Sequence, residues 1–139
     1  ANGTWLSAGQ VRVGAVAAVD GALSDAVVCG LNQDRIAILG FINPNFCERL
    51  VGEKLSVADL SKHPSVRSAV QSGLEAYNRA NPNASARISA CLLMADLPSL
   101  DTGEITEKGY INQNKAQALR ADHVSRLFAP TADPDIIQL

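Results

Sequence analysis

The chain has 139 residues, of which 47% are apolar and 19% charged, with a formal net charge of −2. Folding at this length removes roughly two-thirds of the unfolded chain's surface, so one core and one domain over 1–139 are expected. The near-neutral balance without a Lys/Arg run argues against a nucleic-acid partner or a membrane-surface helix, and no apolar stretch approaches the ~20 residues that span a bilayer.

Cys29, Cys47 and Cys91 are odd in number, lack CxxC spacing and sit within or beside apolar runs. That pattern suits small core residues in a reducing, cytoplasmic compartment better than bridges or metal ligands. The chain opens on Ala1 rather than methionine, and we expect a piece excised from a longer product.

In chain order, Val13, Val16 and Ala17 fall at helical spacing within 11–19, and Asp20-Gly21 follows as a stop signal. The apolar runs 25–29 and 36–42, separated by the polar stretch 30–35, predict two antiparallel strands, the second ended by Asn43-Pro44. A short helix after Phe46 closes at Gly52. A longer one takes Pro64 in its first turn, repeats Val66, Val70, Leu74 and Tyr77, and ends at Asn81-Pro82.

The run 86–94 predicts a third strand. A last helix is expected from Asn112, burying Ala116, Leu119, Val124 and Leu127 or Phe128, and stopping before Pro130. Residues 130–139 read as a loosely held tail. The order predicts an α+β fold, a small two-layer domain with about three strands, including an antiparallel hairpin, covered by helices on at least one face.

The familiar catalytic patterns are missing. Gly9 and Gly14 are followed by Ala15 rather than Lys-Ser/Thr, which disqualifies a phosphate loop. His63 and His123 have no cysteine, histidine or paired carboxylates at ligand spacing, so no metal site is expected, and they read as a helix-start and a helix-surface residue. Ser7, Ser89 and Ser125 lack a nucleophile-elbow context, and the carboxylates are scattered. Residue chemistry alone reaches only an α+β domain.

The segment from Asp101 to Lys115, DTGEITEKGYINQNK, is a polar, glycine-bracketed stretch that carries a lysine into a helix. It resembles the C-terminal signature of feruloyl-CoA and related aryl-CoA synthetases, GEIT-x-KGYINQ, which maps onto Gly103 to Gln113. NGTWLSAGQVRV, from Asn2 to Val13, is similar to the stretch after the interdomain hinge of those adenylate-forming enzymes. DAVVCGLNQDRIAILGF, from Asp25 to Phe41, resembles their central hairpin. In the wider superfamily the lysine directly follows a Ser/Thr-Gly pair. Here Glu104 follows Thr102-Gly103, and Lys108 lies four residues beyond it, the form of the feruloyl subgroup.

The resemblance implies the mobile C-terminal lobe of an acid-thiol ligase whose N-terminal lobe, absent from this segment, binds ATP, Mg²⁺ and an aryl carboxylic acid. Lys108 would supply the adenylation charge. After lobe rotation the loop from Asn2 to Arg12 would line the pantetheine channel for CoA. Gly3 would allow close backbone approach, Trp5 would form a flat wall and Arg12 would meet a phosphate, with Gly103 and Tyr110 completing the contacts. The isolated lobe would be inactive. The competing expectations are a lobe serving a carrier-protein ligase and a non-catalytic binding or oligomerisation module of the same fold.

Overall fold

The computed structural model describes residues 8–31, 35–83 and 85–139. Helix α1, Ala8–Val19, buries Val11, Ala15 and Val19. It ends where Asp20 and Gly21 take positive φ, 56° and 107°, and turn the chain into strand β1, Leu23–Cys29. Strand β2, Ile36–Ile42, is buried along its whole length and pairs antiparallel with β1, with Val27 opposite Leu39. The expected hairpin is present, with a register shift between Leu23 and Asp25.

Asn43 then caps α2, Pro44–Val51, by accepting a bond from the amide of Phe46. Gly52, at φ 84°, closes the helix in the left-handed conformation that glycine adopts without steric cost. Ser56 caps a helix not anticipated from the sequence, α3, Val57–Lys62. His63 has the helix-start role read from the sequence, since its side chain accepts from the amide of Ser65 at the head of α4, Pro64–Ala80. Strand β3, Ile88–Leu93, pairs parallel with β2, with Ile38 opposite Cys91.

The single last helix expected from the sequence is two helices, α5, Gln113–Leu119, and α6, Ala121–Phe128. They divide at Arg120, which leaves helical geometry at φ −112° and ψ 32°. The break changes which side chain faces inward. Leu119, expected in the core, is 49% exposed, while Arg120 is buried.

The tail also differs from expectation, because Ile136–Gln138 forms a fourth strand, β4, antiparallel to β3. Side chains outside the strand hold it there. Arg67 donates to the carbonyls of Pro134 and Asp135, both at 2.9 Å, and Arg126 pairs with Asp133 and Asp135. Two apolar residues were too short a signal for a strand whose anchors lie on two helices.

The chain is therefore α+β, with a four-stranded mixed sheet in the order β1-β2-β3-β4. Successive strand residues face opposite sides. Ala26, Val28, Ile38, Ile42, Ile88 and Cys91 meet α1 and α4 in one cluster. Val27, Leu39, Phe41, Ala90 and Leu92 meet Ala116 of α5 and Leu127 of α6 in another. Helices thus cover both faces, giving three layers instead of the two expected, and this explains why β2 has no polar side.

Candidate functional site

The segment after β3 builds a projecting hairpin on the face covered by α5 and α6. Ile105 and Ile111 form an antiparallel bridge. Thr106 and Tyr110 close the turn, with the Thr106 amide donating to the Tyr110 carbonyl at 2.8 Å and the Gly109 amide to the Thr106 carbonyl at 2.9 Å. Gly109 has φ 84°. A left-handed residue at this place is the usual way a short hairpin loop restores strand direction, and glycine takes it without a Cβ penalty. Glu107 and Lys108 therefore occupy the tip.

Lys108 is exposed and forms no hydrogen bond or ion pair with any described residue. Tyr110 is 59% exposed. Gly103, at φ 82°, turns the chain at the root of the hairpin, where its amide donates to Leu100 at 3.1 Å. Three residues expected in the site, Gly103, Lys108 and Tyr110, thus belong to one projecting loop.

Arg12 lies on α1 rather than in a loop, and its guanidinium is engaged by both carboxylate oxygens of Asp25 on β1. The hydrogen bond to Asp25 raises the Arg12 pKa above its ordinary value. Partial burial opposes this, and the charges of Asp25 and Tyr110 add smaller raising effects. Asp25 already takes up the fork of the Arg12 guanidinium. Gly3 and Trp5 lie outside the described residues.

The residues that hold the hairpin were not anticipated. Glu104 is only 3% exposed although Asp101 to Gly103 before it and Thr106 to Tyr110 beyond Ile105 face water. Its carboxylate accepts from Arg120 Nε at 2.6 Å and Nη2 at 3.1 Å, and from the Ser99 amide at 3.1 Å. Arg120 also donates to the exposed carboxylate of Asp96, at 2.8 Å from Nη1, and lies over the Phe41 ring with 4.8 Å to its centroid. Burial works against the Arg120 charge, but the bonds to Glu104 and Asp96 outweigh it and raise the pKa above the ordinary value.

At the other root of the hairpin, Asn112 caps α5 through the Lys115 amide. Gln113 then lays its amide along the free edge of β1. Its Oε1 accepts from the Val28 amide at 2.9 Å and its Nε2 donates to the Ala26 carbonyl at 3.1 Å. Gln117 donates to the Val28 carbonyl at 3.1 Å, and Asp25 accepts from the Ala26 amide at 2.8 Å. All four main-chain groups of Ala26 and Val28 on that edge are satisfied by side chains, much as another strand would satisfy them.

Among the described residues, no group of three or more His, Cys, Asp or Glu side chains is placed to hold a metal ion. No described helix is long and apolar enough to cross a membrane. The chain matches no family model, no curated protein and no solved structure.

Proposed function

We propose that this chain is the mobile C-terminal lobe of a cytoplasmic, ATP-dependent, AMP-forming aryl-CoA synthetase of the feruloyl type, with Lys108 as its adenylation lysine. The observation that carries the reading is a lysine, without a partner among the described residues, at the exposed tip of a hairpin whose root is fixed in the core. An ammonium on a four-carbon stem is a compact charge able to reach into a site built by another lobe. The GEIT-x-KGYINQ likeness supplies the reaction class.

In that reaction a carboxylate oxygen attacks the α-phosphorus of Mg²⁺-bound ATP and the bond to pyrophosphate breaks. Lys108 stabilises the negative charge on the α-phosphate and carboxylate oxygens. The CoA thiol then attacks the acyl carbon and releases AMP. The large lobe of the same chain would hold ATP and an aryl acid, whereas this lobe contributes the charge and, after rotation, part of the CoA channel. Arg12 reaches a CoA phosphate in this scheme only by sharing its guanidinium with Asp25.

The test is carboxylate-dependent ATP–pyrophosphate exchange by the full-length gene product with ferulate and other aryl acids. Exchange is expected. Lys108→Ala should slow it roughly 10²- to 10³-fold, about 3 to 4 kcal/mol, the scale for removing one transition-state donor. Thioester formation from supplied acyl-adenylate should continue at nearly the wild-type rate. Absence of exchange from a folded full-length protein, or equal loss in both half-reactions, would overturn the reading.

A further inference from the structure

We propose that Glu104 and Arg120 act as a positioning pair for Lys108, fixing the hairpin's direction from the sheet core; this rests on the synthetase reading. The hydrogen bonds of the tip, between Thr106, Gly109 and Tyr110, are internal to the turn. Where the tip points is consequently decided at the root, and the root bonds converge on Glu104. Its amide donates to the Ser99 carbonyl at 3.1 Å, its carbonyl accepts from the Asn112 amide at 2.8 Å, and its carboxylate takes Arg120 and the Ser99 amide.

Arg120 carries the connection inward. It sits at the division between α5 and α6, packed over Phe41, a residue of β2 with 0% exposure. The path runs from the most buried strand through one guanidinium to one carboxylate, and from there through three residues to Lys108.

A buried ion pair is a weak source of stability, because desolvation cancels much of the attraction and apolar residues of similar volume often serve as well. Its distinguishing property is geometric. Two parallel N–H···O bonds fix both the separation and the relative rotation of the groups they join.

Arg120→Ala would leave a buried carboxylate unpaired and disorder the loop, so Glu104→Gln is the informative variant. It retains shape and one acceptor but loses the charge and the second acceptor. In the full-length gene product, misplacement of the lysine should lower kcat for adenylation roughly 10- to 100-fold, the scale for a shift of about 1 Å at a reacting group. KM for ATP and for the aryl acid should be little changed, and thioester formation from supplied acyl-adenylate should be retained.

Asp96→Asn, which alters only the exposed partner, should leave the adenylation rate within about twofold of wild type, as surface pairs contribute little. Amide relaxation of Lys108 and Gly109 in this chain should show a more mobile tip in Glu104→Gln than in wild type. Unchanged tip order, unchanged adenylation kcat, or parallel loss of both half-reactions would each overturn the positioning role. Wild-type protein that performs no exchange would instead sink the synthetase reading, and the relaxation comparison separates the two failures.

Discussion

Removing the Gln113 side chain tests whether the β1 edge is held as described. Gln113→Ala deletes the bonds to Val28 and Ala26. Each such bond contributes about 0.5–1.5 kcal/mol net, so the pair should cost about 1–3 kcal/mol, towards the upper end if water reaches the partly buried edge poorly. Gln113→Glu should cost a similar amount, since a carboxylate can accept from Val28 but sets a second acceptor against the Ala26 carbonyl. With urea slopes of about 1–3 kcal/mol per molar, the midpoint should fall by roughly 1 M at unchanged slope. Hydrogen exchange at the Val28 amide should accelerate in both variants. A loss under about 0.5 kcal/mol, ordinary for an inconsequential surface change, with Val28 still protected would refute the assignment.

Gly73→Ala should be more damaging than its size suggests, because the new Cβ would lie 2.5 Å from the Val19 Cα and 2.9 Å from the Ala18 carbonyl oxygen. Those are backbone atoms of α1, so α1 and α4 must separate, at about 1–3 kcal/mol or more by thermal or urea unfolding. Gly52→Ala meets no atom within 4 Å but must hold φ 84°, and should cost about 1–2 kcal/mol from backbone strain alone. Burial pushes the Cys29 and Cys91 thiols up to about 12 from an ordinary 9.0. A pKa raised by folding contributes stability that is intact below the unfolded value and is lost as pH rises from there towards the folded one. The unfolding midpoint should accordingly decline between pH 9.0 and about 12, and Cys91→Ala should flatten that decline.

Local signals carried much of the fold. Gly52, Pro64 and Asn112 mark helix ends at the positions where the caps are found, because a cap is chemistry between residues two to four apart, whereas Asn43-Pro44, read as the end of β2, also opens α2 ahead of the start expected after Phe46. The unbroken run from Ile36 to Ile42 marks a strand buried on both faces. The division at Arg120 was hidden for the opposite reason. No glycine or proline lies between Asn112 and Phe128, and the break accompanies a guanidinium held by partners 16 and 24 residues away.

The candidate site follows the same rule. Lys108, Gly103 and Tyr110 stand in one contiguous polar segment and were found there. Glu104 stands in the same polar segment and reads as another surface charge until the fold supplies Arg120. Gln113 closes the signature, and only the tertiary structure shows that its side chain meets a strand 85 residues earlier.

The parallel pairing of β2 with β3 imposes an order on the birth of this sheet. β1 and β2 are joined by a short connection and can zip together early, whereas the other neighbour of β2 begins only at Ile88, beyond three helices. Until those helices have folded back, Ile36 to Ile42 lies beside a vacant margin, seven uncharged residues without a proline to discourage a foreign strand. The interval between completing Ile42 and docking Ile88 is when a nascent chain is most exposed to wrong company.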